Sequence, residues 1–291
     1  NFLKYDFDNK KSFTNINPYR VDILKQSIEW NSKKIFDFIL PLVADINIED
    51  MRHHYPITFA TMFNRTYMTK RLIELNAKLD VNNIYNWPSL LFVSENLNIE
   101  LLKLYIKKNA DLNINADGET PLLLASLQSD DDKAYEYCKI LLDNEADVDC
   151  INFSKPRTYE EKMDGLSQLR MSLDNKFDYS EVTDDSAFKY SKDTPLIRAI
   201  FRNNIRLVKL LLENGANVNY VNALGNTPLL LLCKNYNNLE MLKLLLEYGA
   251  DLSIKDEKGY DSRLYTISEK KIDLINYLFD IGEIPSQLKL N

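Results

Sequence analysis

The chain has 291 residues, which corresponds to one elongated or two compact domains at roughly 100–200 residues per domain. Hydrophobic residues make up 45% and charged residues 27%, a composition that excludes global disorder. The net charge of -7 repels phosphate backbones, so we expect no nucleic-acid partner.

Cysteine content and hydropathy bear on the compartment. The 3 cysteines are too scattered for a disulfide framework or a zinc site, which favours a reducing environment. The sequence has no apolar run of about 18 residues and no secretory leader, so we expect a cytoplasmic protein without membrane contact. An initiator Met is absent, so the existence of a further domain upstream of residue 1 is left open. Abundant Asn, Lys, Ile and Tyr point to an A+T-rich genome, such as that of a large DNA virus or a microbe.

Two markers repeat along the chain with one period. Segments of the type Ala44-Asp45-Ile46-Asn47 recur with first residues 33, 33, 36, 70 and 34 positions apart. A Thr-Pro marker keeps step with them, most clearly at Thr120-Pro121, Thr194-Pro195 and Thr227-Pro228. A period of about 33 residues predicts an array of stacked structural units.

Each marker has a physical role in a helix pair. The Thr hydroxyl accepts a hydrogen bond at a helix N-terminus, and Pro fits the first helical position, where no donor is needed. The apolar spacing of residues 205–212 then predicts a second helix, which ends at Gly215.

The segments Gly225-Asn226-Thr227-Pro228-Leu229 and Leu244-Leu245-Leu246-Glu247-Tyr248-Gly249-Ala250-Asp251 resemble the ankyrin repeat family. The resemblance implies an all-α solenoid of stacked helix pairs with hairpin turns. The family's His after Thr-Pro-Leu is here Leu123, Ile197 or Leu230. Its polar bridge to the adjacent loop is therefore missing, and we expect packing to hold those units together.

The 70-residue spacing allows two interpretations. Lys155-Pro156 and the apolar Leu166, Leu169 and Leu173 predict a degenerate unit at 151–189, weakly coupled because its first helix is charged. A plain loop insertion is the alternative. With the degenerate unit, residues 1–291 form a single array, and its units are about 18–48, 49–81, 82–114, 115–150, 151–189, 190–221, 222–255 and 256–285.

Candidate reactive groups favour structural roles. Cys138 and Cys233 fall at buried positions, nothing near Cys150 would lower its pKa, and the adjacent His53 and His54 make a poor metal site. No phosphate-binding or nucleophile motif occurs. We therefore expect no enzyme activity, no catalytic residue, no cofactor and no metal.

The resemblance instead implies a protein partner, bound on the concave side formed by the hairpin tips and the ends of the first helices. Interfaces favour Trp, Tyr and Arg. The predicted function is a non-catalytic protein-binding module. A host-directed adaptor or inhibitor in the host cytosol is the more specific form of this prediction. The alternative is an enzyme or effector whose catalytic part lies in 151–189 or upstream of residue 1. The predicted binding face comprises Arg52, His54, Met62, Phe63, Trp87, Tyr190, Phe201, Arg202, Leu224 and Tyr260, beside other hairpin-side residues such as Glu119 and Lys234.

Overall fold

A computed structural model describes residues 18–49, 54–82, 87–151 and 192–285. These residues form fourteen α-helices and no strand. The chain divides into an amino-terminal block, Asn1–Ala110, and a carboxy-terminal block, Asp111–Asn291.

In the amino-terminal block, three helix pairs follow one another, one in each of the first three predicted units. The first helices of successive pairs pack on each other, α1 on α3 and α3 on α5, and α4 packs on α6. A 3₁₀ turn, Leu40–Leu42, follows α2. The helices are α1 Pro18–Glu29, α2 Lys33–Ile39, α3 Pro56–Met62, α4 Thr66–Glu74, α5 Ser89–Glu95 and α6 Ile99–Lys107.

The carboxy-terminal block contains four more helix pairs within its described residues. Its first helices pack in the order α7, α9, α11, α13, and its second helices in the order α8, α10, α12, α14. These helices are α7 Pro121–Ser126, α8 Asp131–Leu142, α9 Pro195–Phe201, α10 Ile205–Glu213, α11 Pro228–Asn235, α12 Leu239–Glu247, α13 Ser262–Ser268 and α14 Ile272–Asp280.

Side-chain caps start most helices of the carboxy-terminal block. The hydroxyls of Thr120, Thr194 and Thr227 accept from the backbone N–H three residues later at 3.2, 3.4 and 3.1 Å, as the Thr-Pro marker predicts. Asp261 replaces Thr before α13 and accepts from Leu264 N–H at 2.9 Å. Each cap satisfies one of the donors that a helix N-terminus leaves unpaired.

Left-handed residues follow the second helices α4, α6, α8 and α10. Gly215 has φ +86°, a conformation that costs glycine least. Asn76, Asn109 and Glu145 occupy the same position in three other units, with φ between 55° and 66°. Asparagine tolerates this conformation better than most residues, so an Asn-rich chain forms these turns with few glycines.

The core is the apolar interface between successive helix pairs. Leu123, Ile197 and Leu230, which replace the family's His, are fully buried. Ile35 is 41% exposed, whereas Met68 and Leu101, at the same position of the next two second helices, are fully buried. The described residues before α2 therefore leave this position of α2 more exposed than its equivalents on α4 and α6.

Polar links join the hairpins of neighbouring units. The last side chain of the Ala-Asp-x-Asn segment accepts from a backbone N–H of the following unit. Asn47 accepts from Lys78 at 2.8 Å, Asn113 from Asp147 at 2.8 Å and Asn219 from Asp251 at 2.8 Å. Neighbouring units are therefore not held by packing alone, because these bonds bridge them at a different position from the missing His.

Across the 70-residue spacing, the same link runs from Asp149 to the Asn217 N–H at 3.0 Å. Helices α7 and α8 pack directly on α9 and α10. The units on the two sides of this spacing are therefore direct neighbours in the stack. Residues 152–191 themselves lie outside the described residues.

The hairpin links predict a specific loss of stability. Asn219 both accepts from Asp251 and donates through Nδ2 to the Gly249 carbonyl at 2.9 Å. We expect Asn219→Ala to lower the free energy of unfolding by about 1 kcal/mol in denaturant titrations. Asn214→Ala is the control, since Asn214 bonds only to Leu210 of its own helix through its side chain. Equal losses in the two variants would contradict an inter-unit role.

Candidate functional site

Predicted face residues of the amino-terminal block form an aromatic group around Phe59. The ring centroid of Phe63 lies 4.8 Å from that of Phe59, and the His54 ring lies 5.9 Å from it. The Lys25 ammonium lies 4.7 Å from the Phe59 centroid, within cation–π range. His54, Met62 and Phe63 are half-buried, so part of each side chain remains accessible.

Sequence reasoning missed Trp30, the most exposed large apolar side chain in the described part of the chain at 66%. Trp30, Phe63 and Arg202 each immediately precede a left-handed Asn, namely Asn31, Asn64 and Asn203 with φ of 53°, 52° and 52°. They therefore occupy the same position at the end of a first helix. That shared position was the available signal, and it places Trp30 with the predicted face.

Arg65 joins the ends of two first helices in this block. Its Nε donates to the Ile28 carbonyl at 3.0 Å, and its Nη2 donates to the Glu29 carbonyl at 2.9 Å. Its guanidinium also lies 5.7 Å from the Phe63 ring centroid. These contacts fix the end of α1, next to Trp30, against the turn that follows Phe63.

Trp87 packs within its own unit. Its ring centroid lies 5.5 Å from that of the buried Phe92 on α5, and the indole is half-buried. Part of the Trp87 side chain thus supports the unit, while the rest remains accessible.

In the carboxy-terminal block, Arg202, Leu224 and Tyr260 are exposed, and Phe201 is half-buried. The Tyr260 ring contacts the Tyr265 ring at 5.5 Å. The Phe201 carbonyl accepts a hydrogen bond from the Tyr236 hydroxyl at 2.6 Å. Arg52 and Tyr190 lie outside the described residues.

Two charged residues proposed for the hairpin side lie in ion pairs instead. The Glu119 carboxylate accepts hydrogen bonds from both Nη atoms of the buried Arg198, at 2.7 and 2.9 Å. Lys234 donates to Asp256 at 2.9 Å and lies 4.4 Å from the Tyr265 ring centroid. Both charges are paired with residues of neighbouring units, so both are less available to a partner.

Asp256 is the centre of a polar network. It accepts from the Tyr265 hydroxyl at 2.5 Å, from Lys234 and from the Tyr260 N–H at 3.0 Å. Burial opposes ionisation of this carboxyl, but these hydrogen bonds outweigh it and hold its pKa well below the ordinary range. The bond to Asp256 raises the pKa of Tyr265 to about 12.

The thiols are not activated. Cys138 and Cys233 are fully buried, as the sequence predicts, and burial raises the pKa of Cys233 to about 11. Burial also raises the pKa of Cys150 to about 12, partly offset by its contact with the Thr120 hydroxyl at 3.1 Å. A nucleophilic cysteine needs the opposite shift.

The described residues contain neither a candidate metal cluster nor a helix able to span a membrane. Within residues 18–49, 54–82, 87–151 and 192–285, no group of three or more His, Cys, Asp or Glu side chains could hold a metal ion. None of the helices α1 to α14 has the length and apolar character needed to cross a membrane.

Comparison with known proteins agrees with this stack of helix pairs. The family model for ankyrin repeats, described as three copies, matches residues 57–152 and 165–256. The chain belongs to the ankyrin repeat family. Ankyrin repeats indicate a protein–protein interaction module.

Two relatives illustrate the range of the family. Ankyrin repeat protein L371 of Acanthamoeba polyphaga mimivirus is 25% identical over 209 residues, which are 72% of this chain and 21% of L371. The chain thus matches about a fifth of that relative's length. The human ASB11 ankyrin repeat domain superposes with a TM-score of 0.63 at 17% identity, covering 88% of this chain and 96% of that domain. This second similarity confirms the all-α ankyrin fold.

The Asp256 network predicts a pH effect. A lowered pKa in the folded state stabilises the protein above the unfolded value of about 3.9, and that stabilisation is lost as the pH falls below it. Between pH 5 and pH 3, we expect a smaller drop in melting temperature for Asp256→Asn than for the parent. Asp280→Asn, at an exposed residue, is the control and should keep the parent's drop. Identical pH profiles for Asp256→Asn and the parent would contradict the assignment.

Proposed function

We propose that this ankyrin array binds a protein partner on its concave side, through the hairpins and first-helix ends of its units. The observation that carries the proposal is a recurring position at which large or charged side chains stand exposed or half-buried. That position holds Trp30, Phe63 and Arg202. Trp and Arg are the side chains that most often dominate binding energy at interfaces.

The predicted face also has rigid support. Arg65 fixes the α1 end by two hydrogen bonds to its carbonyls, and Tyr236 fixes the α9 end through the Phe201 carbonyl. Side chains on a rigid backbone lose less conformational entropy on binding than side chains on a mobile one. The arrangement therefore supports recognition by shape and aromatic contact, with no reaction.

We further propose that the protein is a host-directed adaptor or inhibitor that acts in the host cytosol. The similarity to a mimivirus protein and the A+T-rich residue usage support this proposal. The three cysteines give no support to a nucleophilic role, because burial raises the pKa values of their thiols. Arg52 and Tyr190 remain part of the proposed face on sequence grounds.

Binding can be tested once a partner is isolated. An Acanthamoeba lysate is a suitable source for a pull-down followed by mass spectrometry, given the viral relative. We expect Trp30→Ala, Phe63→Ala and Arg202→Ala each to weaken partner binding by about 1 kcal/mol, which is a roughly five-fold higher Kd. Trp30 and Arg202 are exposed and contribute little to folding, so the melting temperature of these two variants should change by no more than about 2 °C. Phe63 is half-buried against Phe59, so Phe63→Ala should lower the melting temperature somewhat more.

Tyr248→Ala is the matched control. Tyr248 is an aromatic residue that is 37% exposed, but it follows a second helix, α12, and not a first helix. It should leave both the Kd and the melting temperature unchanged. Unchanged affinity in a folded triple variant at Trp30, Phe63 and Arg202 would refute this face. A loss of stability comparable to that of Leu211→Ala would show that these side chains are structural instead.

A further inference from the structure

We propose that residues 152–188 are an insertion that the ankyrin stack does not need, so that the unit before them and the unit after them form one regular repeat interface. The proposal concerns the joint between α7–α8 and α9–α10 and is independent of the proposed binding face. It rests on contacts among described residues on both sides of the insertion.

The helix packing across this joint follows the pattern of the rest of the carboxy-terminal block. First helix α7 packs on first helix α9, just as α9 packs on α11. Second helix α8 packs on second helix α10, just as α10 packs on α12. The row of first helices and the row of second helices are therefore both continuous across this joint. An additional helix pair would have to interrupt both rows.

A buried ion pair joins the two units on the side of the first helices. The Arg198 side chain on α9 is 3% exposed and forms a bidentate pair with Glu119, whose side chain is 14% exposed. Arg198 Nη1 also donates to the Leu123 carbonyl on α7 at 2.9 Å. Three charge-assisted hydrogen bonds in a largely dry site require close and specific approach of the two units.

Separate contacts join the two units on the side of the second helices and in the hairpins. On the outer side, Arg206 on α10 pairs with Asp132 and lies 4.6 Å from the Tyr135 ring centroid on α8. In the hairpins, Asp149 accepts from the Asn217 N–H, which is the link found between other neighbouring units. Polar contacts thus join the two units at three places, namely the first helices, the second helices and the hairpins, as in a complete repeat interface.

The hairpin resumes its regular geometry after the insertion. Lys192 has φ +53° and lies three residues before the first residue of its helix, as do Gly118, Gly225 and Gly259 with φ of 78°, 71° and 78°. Pro195 follows Ala146 by 49 residues, whereas Pro228 follows Ala216 by 12, so 37 residues are in excess. Residues 152–188 have that length. The family match that begins at residue 165 does not change the contacts of this joint.

The first experiment removes the 37 residues. Deletion of 152–188 restores the regular spacing, and we expect a single unfolding transition in urea with a midpoint no lower than the parent's. The slope of unfolding free energy against urea reports the surface exposed on unfolding and should fall little. Deletion of the complete unit 222–255 is the control and should lower both midpoint and slope. A folded 152–188 deletion that loses as much as this control would overturn the proposal.

A second experiment decides the case if the shortened hairpin prevents folding. Leu169 lies at a predicted buried position of the degenerate unit, and Leu211 is fully buried on α10. In the full-length chain, we expect Leu169→Asp to keep the parent's thermal midpoint and Leu211→Asp to lower it strongly or abolish folding. A drop for Leu169→Asp comparable to that for Leu211→Asp would show a stacked unit at 151–189 and refute the proposal.

Discussion

The hydrogen bond from the last side chain of one hairpin segment to the backbone of the next unit sets the register of neighbouring units within each block. Helices of six to twelve residues are too short to be stable in isolation, so each pair depends on its neighbours. The bonds from Asn47, Asn113, Asp149 and Asn219 hold neighbouring hairpins at one repeating offset. At that offset the apolar sides of successive second helices meet, and equivalent first-helix ends such as Phe63 and Arg202 recur along the chain.

Much of the fold could be predicted from the sequence, because the markers act locally. Thr227 caps its helix through an N–H only three residues away, so the signal and its structural effect lie together. Burial of Cys138 followed equally from its spacing on one helix. The site was less predictable. Glu119 looked like a surface residue because its partner, Arg198, is 79 residues distant, and Trp30 precedes the first recognisable hairpin marker.

Arg198 shows how one unit can differ from the others without leaving the repeat. Equivalent positions hold Leu124 and Leu231, both buried apolar residues on first helices. An arginine there requires a carboxylate within reach, and Glu119 supplies it from the hairpin of the neighbouring unit. A buried pair of this kind adds little net stability compared with leucine, but it strongly disfavours any neighbour that lacks the acid. Loss of either partner alone would therefore leave an unpaired charge buried at this joint.

The same ion pair also has a consequence for the order of folding. Arg198 and Glu119 are 79 residues apart, whereas Arg65 and Ile28, which join two units in the other block, are 37 apart. Closing a loop about twice as long costs about 0.6 kcal/mol more in chain entropy. Repeat arrays can nucleate at any unit and grow by adding neighbours. We therefore expect growth across this joint to be roughly threefold slower than growth across a joint of regular spacing.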